Sequence, residues 1–279
     1  MPDPKPRRVG RVLIVAGSDS GGGAGIQADI KSVTALGGYA MTAITALTAQ
    51  NTLGVAAVEA VPPAFVARQM TLVLEDIGAD AVKIGMLHRA GVVHAVADVL
   101  QGAGKGIPLV LDTVMIAKGG APLLEDDAVA AIRERLVPGA ALVTPNLPEA
   151  AALTGRPVTA PDQMDRAGRD ILAMGAKAVL IKGGHLEGDR IIDLLVTPEG
   201  MRAFETPRIS TRHTHGTGCT LASACAAGIA QGMDLEAAVG RAIAYVQEAI
   251  RTAPGLGKGH GPLNHGHTVA PFTGNLNSD

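Results

Sequence analysis

The sequence predicts an α/β protein with three layers, in which a mostly parallel central sheet lies between two sets of helices. Short β-rich runs alternate with helical patterns along the chain, and that alternation favours parallel strands. The runs that begin at Leu109 and Ala178 are continuously apolar, as in strands covered on both faces. Hydrophobic residues are 47% and aromatic residues 2%, so an aliphatic, layered core is expected.

Nine strands and eight helices are expected in chain order, each from an apolar run of the matching period. The strands are expected at 12–17, 41–47, 55–61, 81–86, 109–114, 141–144, 178–182, 191–197 and 201–206. The helices are expected at 24–36, 63–77, 90–101, 126–136, 147–153, 162–174, 216–231 and 235–253. The last two strands are separated by a very short turn, which predicts an antiparallel hairpin at a sheet edge.

No linker, repeat or low-complexity segment divides the chain, so one domain over residues 1–279 is expected, with flexible tails at 1–10 and about 265–279. A chain of this length buries about three quarters of its unfolded surface. The net charge is −2 and the sequence pI is about 6.4, which excludes a basic surface for nucleic acid or an anionic membrane. The first apolar run, 12–16, is too short for a signal or a membrane span. A cytoplasmic protein is therefore expected.

The two cysteines, Cys219 and Cys225, fall on one predicted helix. They lie about 9 Å apart along its axis, which is too far for a disulfide. The loop 214–219 reads Thr-His-Gly-Thr-Gly-Cys and leads into this small, apolar helix. Its glycines allow the backbone N–H groups to face an anion at the helix N-terminus. A thiol there is expected to have a lowered pKa and to act as a base or nucleophile. A plain glycine-rich N-cap remains the alternative.

The residues after each strand matter because open parallel sheets bind ligands beyond the carboxyl ends of their strands. The glycine-rich run 17–29 follows the first strand and contains a weak dinucleotide fingerprint at 23–28. A dinucleotide site also needs an acidic residue about 20 positions later, and Thr-Ala-Gln-Asn stands there at 48–51 instead. The loop is therefore interpreted as contacting a small polar substrate, with Gln50 bonded to a heterocycle. Gln50 as a solvated strand cap is the competing interpretation.

Oxygen ligands and a lysine follow the next strands. Asp112 lies toward the carboxyl end of the fifth strand, whereas Asn146 and Glu149 follow the sixth. The Asn-x-x-Glu spacing fits a helix capping box, and it also fits a hydrated magnesium site together with Asp112. Lys182 leaves a buried strand, where an unpaired lysine is rare, so it is expected to meet an anion. No Walker A motif occurs, so a nucleoside triphosphate would need a different kind of site.

The histidines near the C-terminus are expected to pack loops, since they lie among glycines without a cysteine or carboxylate set for a transition metal. They are His213, His215, His260, His265 and His267. Met86 and Met115 have an ordinary interpretation as core residues.

Together these motifs resemble the ribokinase-like kinases, and within them the hydroxymethylpyrimidine/phosphomethylpyrimidine kinases of thiamine biosynthesis. The resemblance covers nearly the whole chain and is carried by 16–29, 46–52, 83–87, 144–150, 182–185, 214–220 and 259–265. Most ribokinase-like enzymes have aspartate at the position of Cys219, and cysteine there is typical of the pyrimidine kinases. Thr113 departs from the family's Asp-Pro-Val-Met pattern, although Asp112 and Val114 are in place.

The resemblance implies ATP-dependent phosphorylation of 4-amino-5-hydroxymethyl-2-methylpyrimidine and then of its monophosphate, with Mg²⁺, in a homodimer. The residues it implies for pyrimidine contact are Gly17, Asp29, Gln50, Met86 and Val114. Those it implies for catalysis are Lys182 on the phosphates, the amides of Gly216, Thr217 and Gly218 on the moving phosphoryl group, and Cys219 as the base. Asp112, Asn146 and Glu149 form the implied magnesium set.

Two other functions remain open at this point. A pyridoxal or pyridoxamine kinase would use the same site on a related hydroxymethyl heterocycle. A catalytically inactive pyrimidine-binding protein could keep the fold alone. The presence of Lys182, Glu149 and Cys219 argues against the inactive protein, because a pure binder needs no base beside an anion site.

Overall fold

The computed structural model describes residues 9–115, 123–184, 186, 188–270 and 272. The strands are β1 (Arg11–Asp19), β2 (Tyr39–Asn51), β3 (Gly54–Ala60), β4 (Ala81–Ile84), β5 (Leu109–Leu111), β6 (Leu142–Val143), β7 (Val179–Ile181), β8 (Arg190–Thr197) and β9 (Gly200–Pro207). The helices are α1 (Gly25–Ala35), α2 (Pro63–Asp76), α3 (Ala90–Gln101), α4 (Asp126–Arg135), α5 (Leu147–Thr154), α6 (Pro161–Ala173), α7 (Thr217–Ala230) and α8 (Leu235–Arg251). Each expected element is present; α3 has the predicted bounds, and the other elements have one or both ends shifted.

The strands form one sheet in the order β3-β2-β1-β4-β5-β6-β7-β8-β9. Six neighbouring strands pair in parallel, in the order β2, β1, β4, β5, β6 and β7. The β8–β9 hairpin forms an antiparallel edge, as predicted. A second antiparallel edge is present, because β3 folds back on β2 after a turn at Thr52 and Leu53. The sequence did not indicate this edge. As a result, β2 continues to Asn51, and Gln50 lies within the strand instead of after it.

The sheet is covered on both faces, which confirms the three-layer architecture. In β1, Leu13 and Val15 belong to one core cluster, whereas Val12 and Ile14 belong to the other. This alternation explains why the strand is apolar throughout. Buried residues of α2, α3, α4, α5 and α6 join the first cluster, and those of α1, α7 and α8 join the second. Within the described residues, no helix is both long and apolar enough to cross a bilayer.

Helix α7 packs unusually closely on its neighbours because its residues are small. A Cβ atom at Gly228 would lie 2.7 Å from Cβ of Ala238 in α8, so only glycine allows this approach. Cys225, in the middle of α7, is completely buried, and neither cysteine forms a disulfide. This packing fixes the axis of α7 and therefore the position of its N-terminus.

The chain remains packed beyond the point at which a flexible tail was predicted. His265 is buried, and the hydroxyl of Thr268 donates to the carbonyl of Ala35 at 2.7 Å. His185, of the motif 182–185, and most of both predicted tails lie outside the described residues.

Candidate active site

A cavity of about 830 Å³ opens at the carboxyl ends of the parallel strands, the place expected for a ligand in this architecture. Strands β4 and β5 end at Ile84 and Leu111, so Met86, Asp112 and Val114 follow directly at this edge. Every predicted site residue except Asp29 lines the cavity. The site therefore assembles from segments far apart in the sequence.

One wall of the cavity is the first turn of α7, residues 216–219, called here the α7 cradle. Gly216 is the N-cap and has a left-handed φ of 85°, and no side chain caps the helix. A Cβ atom at Gly216 would lie 1.8 Å from the carbonyl oxygen of Gly23, so this position requires glycine for its conformation and for space. The N–H groups of an uncapped first turn carry partial positive charge. The cradle is thus suited to an anion.

Beside the cradle lies a cluster of one lysine and two carboxylates, called here the open cluster: Lys182, Asp112 and Glu149. Lys182 Nζ lies 3.0 Å from Asp112 Oδ1 and 3.6 Å from Glu149 Oε2. A Cβ atom at Gly218 would lie only 3.3 Å from Lys182 Nζ, so the glycine brings the cradle backbone against the cluster. Burial lowers the pKa of Lys182, but attraction to both carboxylates outweighs burial and raises it. Lys182 is therefore charged.

Asp112 has one carboxylate oxygen left for a ligand. Its Oδ1 accepts from Lys182 Nζ at 3.0 Å and from Thr144 Oγ1 at 3.3 Å. Its Oδ2 is buried and has no hydrogen-bond partner among the described residues. A buried oxygen without a partner is costly, which marks a position for a cation or water. The described residues contain no group of three or more His, Cys, Asp or Glu side chains that could hold a metal.

The capping interpretation of Asn146 and Glu149 is confirmed. Asn146 Oδ1 accepts from the amide of Glu149 at 2.9 Å, and Glu149 Oε2 accepts from the amide of Asn146 at 2.8 Å. Thr113, the departure from the family pattern, also donates its hydroxyl to Glu149 Oε2 at 3.1 Å. Burial raises the pKa of Glu149, and the charge of Lys182 opposes that rise. The cap therefore fixes the carboxylate in the open cluster.

The far end of the cavity is more apolar. Met86 and Val114 belong to a small hydrophobic cluster there, and a Cβ atom at Gly17 would lie 3.3 Å from Met86 Sδ. The Thr45 hydroxyl donates to the carbonyl of Met86 at 2.6 Å, which fixes the backbone of that residue. Gln50 also lines the cavity and supplies an amide. A flat heterocycle with polar edges suits such a surface.

Asp29 does not line the cavity, contrary to the pyrimidine contact implied by the resemblance. Its carboxylate accepts from Lys83 Nζ at 2.9 and 2.8 Å and from Ser223 Oγ at 2.7 Å. Both charged side chains are fully buried. We call this group the closed pair. Asp29 faces the sheet beneath the site because α1 packs on β1, so Lys83 is its partner.

The pKa of Cys219 is raised, not lowered as the helix position suggested. Burial raises the pKa of its thiol to about 12, Lys83 lowers it, and Asp29 and Asp112 raise it further. The thiol is consequently protonated at neutral pH. A position at a helix terminus was a poor guide because desolvation has the larger effect on this group.

A family model described as phosphomethylpyrimidine kinase matches residues 19–264. The chain belongs to the phosphomethylpyrimidine kinase family. It is 52% identical over 262 residues to a bifunctional thiamine biosynthesis protein of Geobacter sulfurreducens, covering 94% of this chain and 53% of that protein. The chain thus spans about half of that relative. It is 50% identical over 258 residues to a hydroxymethylpyrimidine/phosphomethylpyrimidine kinase of Rhizobium meliloti, covering 91% of this chain and 96% of the relative.

A solved structure also resembles this kinase. The pyridoxal kinase from Staphylococcus aureus, in complex with AMP-PCP and pyridoxal, matches with a TM-score of 0.85 and 33% identity, covering 92% of this chain and 94% of that one. The ribokinase-like fold expected from the motifs is therefore confirmed.

Two residues of the kinase site, His215 and Lys83, were not predicted to contribute to it. His215 Nε2 lies 2.8 Å from Asp19 Oδ2 and 3.1 Å from Gln50 Nε2, and it lines the cavity. Its expected role in loop packing holds, but it also joins the cradle to Gln50. Lys83 was noted only as part of a motif. A lysine inside the buried apolar strand β4 could have indicated a buried partner.

The glycine-rich loop after β1 is organised around Asp19. The carboxylate accepts from the backbone amides of Gly21, Gly23 and Ala24 at 2.8, 3.1 and 2.8 Å. Burial raises the pKa of Asp19, but its bonds to His215 and to these amides lower it by more. The carboxylate is therefore ionised, and it holds the loop against the cavity.

Proposed function

We propose that this protein transfers the γ-phosphoryl group of ATP to the hydroxymethyl oxygen of 4-amino-5-hydroxymethyl-2-methylpyrimidine, and then phosphorylates the monophosphate to the diphosphate. One observation carries the proposal: a single cavity is lined by the apolar Met86 and the amide of Gln50 as well as by the cradle and Lys182. The family membership and the identity of about half of all residues to named pyrimidine kinases support it.

At the phosphate end, the protein supplies positive charge and orientation. The amides of Gly216, Thr217 and Gly218 face the transferring phosphoryl group, and Lys182 neutralises its oxygens. Phosphoryl transfer passes through a loose transition state in which positioning and electrostatics supply most of the catalysis. The short approach of Gly218 to Lys182 Nζ places both kinds of charge at one point.

The residues of the open cluster fit Mg²⁺. Asp112 Oδ2 is an oxygen without a partner among the described residues, and Glu149 is the second carboxylate. Mg²⁺ prefers oxygen ligands and keeps several waters, so two carboxylates suffice beside nucleotide phosphates. When bound, the ion would neutralise charge on the phosphate oxygens. Asn146 contributes through Glu149, because its side-chain oxygen is already engaged in the cap.

At the reacting end, Cys219 is proposed to accept the proton of the substrate hydroxyl. In the free protein its thiol is protonated, since burial raises its pKa to about 12. It must therefore release that proton to solvent water as the substrates bind, before it accepts the proton of the substrate hydroxyl. A thiolate formed there is a stronger base than an ordinary one, and a loose transition state needs only late removal of the hydroxyl proton.

The test is phosphate transfer from Mg-ATP to purified hydroxymethylpyrimidine, with products identified by mass spectrometry. Monophosphate followed by diphosphate is expected. The variant Lys182→Met, purified in the same way, controls for a contaminating kinase. Absence of both products from folded wild-type protein would overturn the proposal, and absence of a pyridoxal product as well would leave the inactive pyrimidine-binding protein.

Pyridoxal phosphorylation is a second candidate, favoured by one observation. The protein has a TM-score of 0.85 to a kinase solved with pyridoxal in its site. The sequence identity to that kinase is 33%, against 50% to the pyrimidine kinase of Rhizobium meliloti, so the pyrimidine is the proposed main substrate. Pyridoxal assayed in parallel decides: a higher kcat/KM for pyridoxal would reverse the order.

We further propose that the protein works in the cytoplasm, where ATP is available, as a homodimer. The β2–β3 hairpin supports the dimer, because Leu47 and Leu53 on it are 48% and 68% exposed and β3 is the edge strand of the sheet that the described residues form. Exposed apolar side chains beside an unpaired edge favour association. Light scattering should give twice the chain mass, and Leu53→Asp should reduce it to the monomer value.

A further inference from the structure

The segment 259–265, called here the C-terminal strap, lies against both ends of the active site. At its start, the amide of Gly259 donates to Thr52 Oγ1 at 3.2 Å, and the amide of His260 donates to the carbonyl of Thr52 at 2.9 Å. Thr52 forms the turn of the hairpin that carries Gln50. A Cβ atom at Gly259 would lie 2.0 Å from the carbonyl oxygen of Thr52. Only glycine permits this contact.

The middle of the strap pairs with the loop that precedes the α7 cradle. The amide of His215 donates to the carbonyl of Gly261 at 3.1 Å, and His215 and Pro262 form an isolated parallel bridge. A Cβ atom at Gly261 would lie 2.6 Å from the carbonyl oxygen of Leu256. The strap therefore touches the hairpin and the loop that leads into the cradle.

At its end, the strap reaches the cradle through a side chain. His265 is 4% exposed, and its Nε2 lies 3.0 Å from Thr220 Oγ1. The Thr220 hydroxyl donates its proton to the carbonyl of Gly216 at 2.8 Å. The imidazole also bonds to the backbone of Leu263, so the ring is held between the strap and the Thr220 hydroxyl, and the tautomer sets which partner of the Thr220 bond donates. Burial lowers the pKa of His265 to about 4, and the imidazole is neutral at physiological pH.

The end point of this relay is the N-cap of α7. The carbonyl of Gly216 also accepts from the amide of Thr220 at 2.9 Å, so two bonds from one residue fix the peptide that begins the cradle. Gly216 has no side chain and lies in the left-handed region, where glycine has the greatest freedom. The amides that follow must be held within about 0.5 Å of their productive geometry.

We propose that His265 is a positioning residue for phosphoryl transfer, which holds the Gly216 peptide through the Thr220 hydroxyl and so aims the amides of the α7 cradle. This assignment rests on the proposed function of the cradle. The strap then belongs to the catalytic apparatus, although it follows α8, the last helix in the described part of the chain.

The side chain of His265 can be tested apart from the fold of the strap. Its backbone is held independently, because Tyr245 donates its hydroxyl to the carbonyl of His265 at 2.5 Å and the amide of Asn264 donates to Ala249 at 3.0 Å. Tyr245→Phe removes a bond to the same residue without touching the relay. It is therefore the matched control for a general loss of stability.

The first experiment measures kcat, KM and thermal midpoint for His265→Ala, His265→Gln and Tyr245→Phe. We expect His265→Ala to lower kcat about tenfold with KM for the pyrimidine nearly unchanged. Glutamine can donate to Thr220, so His265→Gln should recover most of the loss. Tyr245→Phe should lower the thermal midpoint and keep kcat. A wild-type kcat for folded His265→Ala, or an equal loss of kcat in Tyr245→Phe, would overturn the assignment.

The second experiment is a double-mutant cycle with Thr220→Val, which removes the hydroxyl and keeps the shape. If the relay runs through Thr220, the double variant His265→Ala/Thr220→Val loses no more kcat than either single variant. Losses that multiply would show that His265 acts by another route. If His265→Ala fails to fold, the cycle cannot be completed, but Thr220→Val and His265→Gln still test the same relay as single variants.

Nucleotide binding separates this inference from the proposed function. Calorimetry with AMP-PCP and ADP needs no pyrimidine. His265→Ala should weaken the binding of AMP-PCP several-fold relative to that of ADP, because only AMP-PCP has a group at the third phosphoryl position. If the wild type proves inactive on pyrimidine while this difference is present, the proposed function fails and the positioning role stands. If the difference is absent from an active enzyme, the positioning role fails alone.

Discussion

Two lysine–carboxylate groups lie at the base of the site, and they differ in how completely they are satisfied. In the closed pair, Lys83 and Asp29 are 0% exposed, and both carboxylate oxygens have partners. In the open cluster, the side chain of Lys182 is 14% exposed, and Asp112 Oδ2 has no partner in the described part of the chain.

The difference separates a structural ion pair from a functional one. The same residue types occur in both groups, at similar distances, beside the same cysteine. A buried group in which every charged atom has a partner cannot bind a ligand. It supports the stability of the fold because no charge is left unpaired. An incomplete set that faces a cavity can bind a ligand. Residue type and pairing distance alone would not distinguish them.

The largest expected effect is the loss of stability in Lys83→Met. Removal of one partner leaves Asp29 buried without its counter-charge, which costs about 3–5 kcal/mol. Urea unfolding followed by circular dichroism measures the change in the free energy of unfolding. The double variant Lys83→Met/Asp29→Asn leaves no charge unpaired and should recover a large part of the loss. A Lys83→Met protein as stable as the wild type would contradict the structural role of the closed pair.

The next effect is on catalysis, in Lys182→Met. Loss of one preorganised charge at the phosphoryl group should lower kcat/KM about 10²–10³-fold. The free energy of unfolding should fall by less than in Lys83→Met, because the cavity admits water to the open cluster. Lys177, exposed and just before β7, provides the control Lys177→Met, which should behave as wild type. If Lys182→Met is as unstable as Lys83→Met, the two groups do not differ as described.

Charges of both groups shift the pKa of Cys219. Replacement of Cys219 tests whether its role is in catalysis or in the structure. Cys219→Ala should lower kcat about 10²-fold, the usual contribution of a general base, with the Kd for AMP-PCP unchanged. Cys225→Ala, a change in the buried middle of α7, should leave kcat unaltered. Single-turnover kinetics gives the chemical rate directly. Unchanged turnover in Cys219→Ala would remove the thiol from the mechanism.

The smallest effect concerns acid stability and Asp19, a third carboxylate whose bonds come from loop amides and His215. Its pKa in the folded protein is below the ordinary aspartate value of 3.8. Its contribution to stability is therefore complete above about pH 4 and is lost as pH falls through the folded pKa. Between pH 5 and pH 2, the free energy of unfolding should fall more steeply for the wild type than for Asp19→Asn. Parallel curves would mean that these bonds do not stabilise the folded state.

The fold could be predicted because its signals are local and repeated. The apolar runs at Leu109 and Ala178 indicated buried strands, and the two-sided core confirmed them. The second antiparallel edge was missed because β2 and β3 are joined by Thr52 and Leu53, which lack the glycine or asparagine typical of tight hairpins. The pairing of these strands depends on the rest of the sheet.

The candidate site was predicted less evenly. Residues that follow strands, such as Asp112 and Lys182, could be found from position alone, since strand ends meet at one edge. The burial of Asp29 and the raised pKa of Cys219 could not be predicted in this way. Both depend on burial and on Lys83, a partner 54 residues from Asp29 along the chain. The sequence pattern shows which groups are present, whereas desolvation and pairing decide what each one does.

The contact between Thr52 and Gly259 has a consequence for biosynthesis. The two residues are 207 positions apart, and a ribosome adds roughly 5–20 residues per second. The hairpin with Gln50 therefore leaves the ribosome about ten to forty seconds before its partner is made. Throughout that interval the nascent chain lacks the contact that joins the two ends of its site. Competence to bind both substrates therefore arises only after the strap has been made.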